Sequence, residues 1–206
     1  MRRGTNRQEY RRDELLAVLD AGLVAHVGVG TPEGPIVLPM AYGRTETDIL
    51  LHGAAANALL RGGTDQEVCV TVTIVDGLVI ARTPFHNSMN YRSVVIRGAA
   101  TKVEGAEKID ALRIITDHVV ANWETGRASS ESDFRKTLVV KVPLDEISGK
   151  IRAEDPIDED EDLDGPHWAG LVPIEARWAT PTSAADLKAG IDVPAAVAAL
   201  GGTALQ

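Results

Sequence analysis

Between Val68 and Val75 apolar and polar positions alternate: Val68, Val70, Val72 and Ile74 share one face, and Cys69, Thr71, Thr73 and Val75 the other. That period predicts a strand with two unlike faces. Asp76-Gly77 follows at once, and two residues that tolerate positive φ between β-branched runs predict a hairpin turn. Leu78 to Arg82 is then the return strand, closed by Thr83-Pro84, because proline cannot donate to a ladder. Phe85 to Asn90 reads as a polar loop and Tyr91 to Val103 as a third strand.

The same reading extends along the chain. Asp13 is a candidate cap for a helix from Glu14 to Ala21, with Leu15, Leu16, Val18 and Leu19 buried and Gly22 as its stop. Leu23–Gly30, Pro35–Tyr42 and Ile49–His52 read as strands with close, regular turns, as in a small barrel or sandwich. The segment Ala54–Arg61, stopped by Gly62-Gly63, favours helix. Ile109, Leu112, Ile115, Val119 and Trp123 recur at helical spacing and predict an amphipathic helix from Gly105 to Trp123. Leu138–Val142 and Ile147–Arg152 complete the strands. Ala184 to Gln206 carries only a weak helical pattern, and no internal repeat is present.

Composition narrows the function. The 206 residues carry a net charge of −9, which argues against general nucleic-acid binding. No apolar run is long enough to span a bilayer. The basic arm MRRGTNRQEYRR has no apolar segment after it, so a secretory signal is not expected. The single cysteine, Cys69, excludes an internal disulfide framework and a cysteine-based zinc cluster. It reads as a small packing residue, and a reducing cytoplasm fits. The acidic run DPIDEDEDLD, Asp155 to Asp164, lacks calcium-loop spacing and its central glycine, so it reads as a solvated loop, with no metal expected.

Two stretches carry candidate chemistry. His52-Gly-Ala-Ala-Ala-Asn57 runs a strand into a helix start through glycine, which leaves backbone N–H groups free for an anion such as phosphate. FHNSMNYR, Phe85 to Arg92, gathers His86, Asn87, Ser88, Asn90, Tyr91 and Arg92 in one loop. No serine triad, P-loop or Rossmann glycine motif is evident, and no catalytic residue is singled out.

Four stretches in order, VLPMAY (Val37–Tyr42), LLHGAAAN (Leu50–Asn57), CVTVTIVDGLVIARTPFHNSMNYRSVVIRG (Cys69–Gly98) and ISGKIRAEDPIDEDEDLDGPHWAGLVP (Ile147–Pro173), resemble the FMN-binding split-barrel superfamily of pyridoxamine 5'-phosphate-oxidase-like proteins. The flavin-nucleotide-binding, nitroimidazole-resistance-like subgroup is the most similar. The resemblance implies a mainly β fold, an antiparallel Greek-key split barrel with a few helices. It would span residues 13–175, between an arm (1–12) and a C-terminal extension (176–206). It implies a homodimer with FMN at the interface and a small-molecule redox substrate.

By position, Pro39, Met40, Ala41 and Tyr42 would line the flavin ring. His52, Gly53, Ala54 and Asn57 would form a ribityl and phosphate corner. Val70, Thr71, Val72 and Thr73 would present strand backbone, and Asn90, Tyr91, Arg92 and Ser93 would complete the pocket, with Arg92 charging the phosphate. Lys150, Arg152 and Trp168 would close it. The chain departs from the family in placing Asn57 where serine is common, in lacking Ser-Arg-Lys there, and in FHNS for FHHS. A flavin carrier or sensor without turnover, and a haem- or deazaflavin-binding split barrel, are the alternatives.

Overall fold

The computed structural model describes residues 10–54 and 66–205; the expected helix after Ala54, with Asn57 and Arg61, and most of the N-terminal arm lie outside them. The architecture is the expected one, mostly antiparallel β with few helices. Helix α1 (Arg12–Ala21) leads into strands β1 (Ala25–Thr31), β2 (Gly34–Met40), β3 (Tyr42–Arg44), β4 (Asp48–Ala54), β5 (Glu67–Ile80), β6 (Ser88–Ala99) and β7 (Thr101–Lys102). Helices α2 (Gly105–Val119) and α3 (Glu131–Lys136) precede β8 (Thr137–Pro143) and β9 (Glu146–Arg152); β10 (Gly170–Pro173) and a one-turn α4 (Ala195–Ala198) follow.

The strands form two sheets. One runs β2-β1-β5-β6-β9, with β10 paired to the far end of β5; the other runs β3-β4-β8-β7. Val27, Val70, Val72, Val94 and Ile96 of the first meet Tyr42, Ile49, Leu51, Val140 and Val142 of the second in the main core, which α1 plugs with Leu15, Val18 and Leu19. Ala111, Leu112 and Ile115 of α2 pack outside the second sheet on Leu50 and Val139. The chain changes sheets at buried Ala100, so the run 91–103 is two strands and not one.

Asp76-Gly77 is not a hairpin turn. β5 passes straight through it as one 14-residue strand, and the register against β6 shifts between Val75 and Gly77. The two halves do not pair with each other; both pair with β6, from Glu67↔Ala99 to Val79↔Ser88. Asp76 is thus the extra residue of a β-bulge. The real turn follows Ala81, where Asn87 Oδ1 accepts the Ala81 N–H at 2.8 Å and Pro84–His86 form a 3-10 turn.

Other local expectations shift for physical reasons. Glu14, not Asp13, satisfies the start of α1, its carboxylate accepting the Arg11 N–H at 2.8 Å. Gly22 ends α1 with an extended backbone; glycine is needed because a Cβ would lie 2.4 Å from Val72 Cγ1 and 2.7 Å from the Tyr42 hydroxyl. Trp123 lies beyond α2 in a separate 3-10 turn. Cys69 is exposed rather than packed.

The acidic run is not wholly solvated. The Asp158 side chain is 1% exposed and takes the Arg82 N–H at 2.7 Å and the Arg82 Nη1 at 2.9 Å. Burial raises its carboxyl, but the hydrogen bonds from the Arg82 side chain and from the Arg82 and Thr83 backbone outweigh it and hold the group below the ordinary carboxylate range. Among the described residues no three His, Cys, Asp or Glu side chains converge as metal ligands. No described helix is long and apolar enough to cross a membrane.

Candidate functional site: a sheet face, a histidine corner and a cleft at the bulge

Strand register sorts the expected site residues onto two faces. Pro39, His26, Thr71 and Val95 stand side by side across four strands, with Thr73, Ser93 and Lys150 in the next row. These rows form the outer face of the first sheet, continued by Val37 and Val75, which are 60% and 41% exposed. Tyr91 belongs to the same face. The face thus presents a row of hydroxyls and small apolar groups.

Met40, Val70 and Val72 alternate inward and are buried, so their side chains do not wall a ligand cleft. Tyr42 is also core. The chain crosses to the second sheet at Ala41, and Tyr42 turns inward with its hydroxyl 2.5 Å from the Leu19 carbonyl and 2.9 Å from that of Gly22. Burial, then the nearby Asp20 carboxylate, pushes the Tyr42 phenol above its ordinary range. At Val70 to Val72 the β5 backbone is paired on both sides, so it has no free donor for a flavin. The gap comes later: β1 pairing stops at Val72 and β10 pairing starts at Gly77, which leaves one edge of Thr73–Val75 without a strand partner among the described residues.

His52 sits at the end of β4 opposite Val139, followed by Gly53 and Ala54. Burial lowers its pKa, which favours the neutral ring, and its buried Nδ1 has no hydrogen-bond partner among the described residues. His86, in the 3-10 turn, also has a buried Nδ1 without a partner among the described residues. An imidazole with a spare ring nitrogen has the donor chemistry that a metal ligand needs. Buried polar groups ordinarily find partners, so these two nitrogens are open to a water or a ligand.

At the bulge, Arg92 is gripped by Asp76. Its Nε lies 3.2 and 3.1 Å from the two carboxylate oxygens and its Nη2 2.8 Å from Oδ1. The charge expected for a phosphate is therefore matched inside the protein. Asn90 ties down the exit of β9: its Oδ1 accepts Arg152 Nη1 at 2.6 Å and the Glu154 N–H at 3.1 Å, and its Nδ2 donates to the Glu154 carbonyl. Asp76, Arg92 and Asn90 floor a cleft of about 450 Å³ walled by Leu78, Ile151, Ala153, Leu171 and Pro173. Trp168 stands nearby, 66% exposed, its ring over Gly170, where a Cβ would come within 2.8 Å of Cζ2. A second cleft of about 530 Å³ lies between α1, β3 and α2, around the Asp20–Arg44 pair and His118.

Sequence reasoning missed Asp76, Leu78, Leu171 and Pro173. Asp76 was hidden because Asp-Gly is the strongest local turn signal, and nothing local marks Arg92 as its partner.

The model of the pyridoxamine 5'-phosphate oxidase family matches residues 11–151. The chain belongs to this family. Its fold is the flavin-binding split barrel of pyridoxamine 5'-phosphate oxidase-like proteins. Among solved structures it is similar to the flavocytochrome Anf3 from Azotobacter vinelandii, at 30% identity over 95% of this chain and 92% of that one, with a TM-score of 0.89. It is likewise similar to the FAD and haem binding protein from Mycobacterium smegmatis, at 29% identity over 96% and 98%, with a TM-score of 0.91. A candidate 5-nitroimidazole antibiotic resistance protein from Bacteroides thetaiotaomicron matches at 25% identity over 68% of this chain and 84% of that one, with a TM-score of 0.57. No match is found among curated proteins.

Proposed function

We propose that the protein is a redox protein holding both a flavin and a haem, and that it works as a homodimer with the flavin at the interface. The observation that carries this reading is the length of the two matches at 30% and 29% identity. They extend well past residue 151, through most of the C-terminal extension, and both name a flavin-and-haem protein. When bound, the flavin would supply hydride and electron transfer and the haem one-electron chemistry.

The residues present fit both groups. His52 is the first candidate for the haem iron, because burial favours its neutral ring and its Nδ1 has no partner among the described residues. His86 is the second. On the outer sheet face Pro39, Thr71, Thr73, Ser93 and Lys150 offer a wall with hydroxyl and ammonium donors to a flavin, FMN or larger. The exposed Val37 and Val75 on that face, and Leu171 and Val172 on β10, would be covered by a second copy. The substrate in this reading is a small molecule, and the location is the cytoplasm, where one unpaired cysteine stays reduced.

The absorption spectrum of the purified, haem-reconstituted protein tests the reading. Flavin bands together with a Soret band are expected. His52→Ala should remove the Soret band and leave the flavin, while His86→Ala should leave both. Flavin bands with no Soret band after reconstitution would refute the haem half. A monomeric mass with flavin retained would refute the interface.

A further inference from the structure

We propose that the segment from Glu154 to Trp168, with Phe85 beside it, is the docking surface for a basic protein partner, one whose Lys and Arg side chains ring an apolar recess. The proposal goes beyond the flavin-and-haem reading and does not depend on it.

Placement is the first argument. The segment leaves β9 at Asn90, which holds both the N–H and the carbonyl of Glu154. It returns to β5 where Gly170 pairs with Ile80. Midway, Asp158 takes two hydrogen bonds from Arg82, three residues before Phe85. It is thus clipped at three points around the tip where β5 turns into β6. At that tip Phe85 is 85% and Ile157 70% exposed, and Trp168 and Leu163 are at least half exposed. Single exposed apolar side chains are ordinary, but four of this size brought to one tip are the material of an interface centre. A carboxylate is also costly to bury, and a loop that served only solubility gains nothing from the Asp158 anchor.

Charge is the second argument. Eight acidic residues stand between Arg152 and Gly165, and the chain has no Lys or Arg from 153 to 176. Among the described residues, only Glu154, on Arg152, and Asp158, on Arg82, pair with a cation. The other six carboxylates are left uncompensated around the apolar side chains. An acidic rim around an apolar centre steers a positive surface in and turns a negative one away.

The rim also selects the occupant. A twofold contact sets a patch against itself, so a second copy would bring six carboxylates against six. Nucleic acid and an anionic membrane are repelled for the same reason. A basic protein face meets no such repulsion and covers the apolar side chains as well.

Calorimetry of the full chain with cytochrome c, a small lysine-rich protein, and with α-lactalbumin, an acidic one, tests the proposal. Cytochrome c should bind at low salt, at least about tenfold more weakly at physiological salt, and α-lactalbumin should not bind. Trp168→Ala and Ile157→Ala should each weaken binding at least about fivefold and keep the salt dependence. The triple variant Asp160→Asn, Glu161→Gln, Asp164→Asn should weaken binding at low salt about tenfold and flatten the salt dependence. All five positions are exposed, so an unchanged melting temperature is expected and separates lost docking from lost folding. No binding of cytochrome c, equal binding of both probes, or a loss confined to the triple variant overturns the proposal; the last would make the segment a solvated acidic loop. A dimer that Trp168→Ala converts to a monomer would make a second copy the occupant and also overturn it. None of these results bears on the cofactors, which the absorption spectrum decides.

Discussion

Gly77 is the residue on which the bulge cleft depends most directly, and Gly77→Ala is the sharpest perturbation of it. Gly77 is buried between two strands, opposite Asn90 on β6 and Pro173 on β10. A Cβ there would lie 2.8 Å from the Val172 carbonyl oxygen and 3.1 Å from Pro173 Cα. Both are backbone atoms and cannot rotate away. Restoring ordinary contact at 3.4 Å moves β10 by about 0.6 Å. Overpacking of this kind costs about 1–3 kcal/mol. β10 is only four residues long and its Leu171 and Val172 side chains are largely exposed, so it detaches more readily than the core unfolds.

The expected outcome is therefore local. The Ile174 amide, which donates to the Asp76 carbonyl at 2.9 Å, should exchange at least about tenfold faster, equivalent to about 1.4 kcal/mol. Amides of β5 and β6 around Val70 and Val94 should keep their protection, and the melting temperature should move little. Gly126→Ala is the control, since a Cβ there meets nothing within 4 Å. Unchanged protection at Ile174 in Gly77→Ala would refute the reasoning, because it would mean that β10 absorbs the methyl without moving.

Tyr42→Phe removes the hydroxyl that bridges the Leu19 and Gly22 carbonyls, and should cost about 1–2 kcal/mol by chemical denaturation, without changing bound cofactor. The depressed Asp158 carboxyl contributes stability that is present above its unfolded value, near ~4, and is lost as pH falls through the lower folded value. Acid should therefore free the segment around Asp158, read as faster amide exchange at Arg82, and Asp158→Asn should show that exchange at neutral pH. His52, lowered by burial, favours the fold most above its unfolded value, near ~6.5; stability of the apo-protein should fall below that pH, and less so in His52→Asn.

Elements with a long, clean period were legible in the sequence. The alternation at 68–75 and the helical spacing from Ile109 to Val119 became β5 and α2, although of that helical stripe only Leu112 and Ile115 are buried while Ile109 and Val119 stay exposed. Readings that needed a distant partner were not legible. VLPMAY looks like one strand; that Tyr42 turns into the core depends on Leu19 and Gly22, some twenty residues earlier. Asp158 looks like any member of an acidic run, and only Arg82, 76 residues away, makes it a buried anchor. The site was legible as a region. Pro39, Thr71, Thr73, Ser93 and Lys150 do share a face, whereas the even-numbered neighbours Met40, Val70 and Val72 face the core, as the period of two requires.

The bulge shows why a local reading can fail in an informative way. Asp and Gly are both poor strand residues, so a strand that carries them in its interior gives up local propensity. β5 tolerates the pair because each residue meets a separate demand from outside the strand. Gly77 lets the β10 backbone approach where any side chain would collide. Asp76, extruded by the register shift, turns its carboxylate onto Arg92 and sets the cleft floor. A hairpin would have met neither demand, since it would have sent Leu78–Ile80 back along β5 instead of onward beside β6. Where long-range pairing overrides the strongest local signal in a chain, the residues that lose their local preference are candidates for function. In this chain those residues floor the cleft at the bulge.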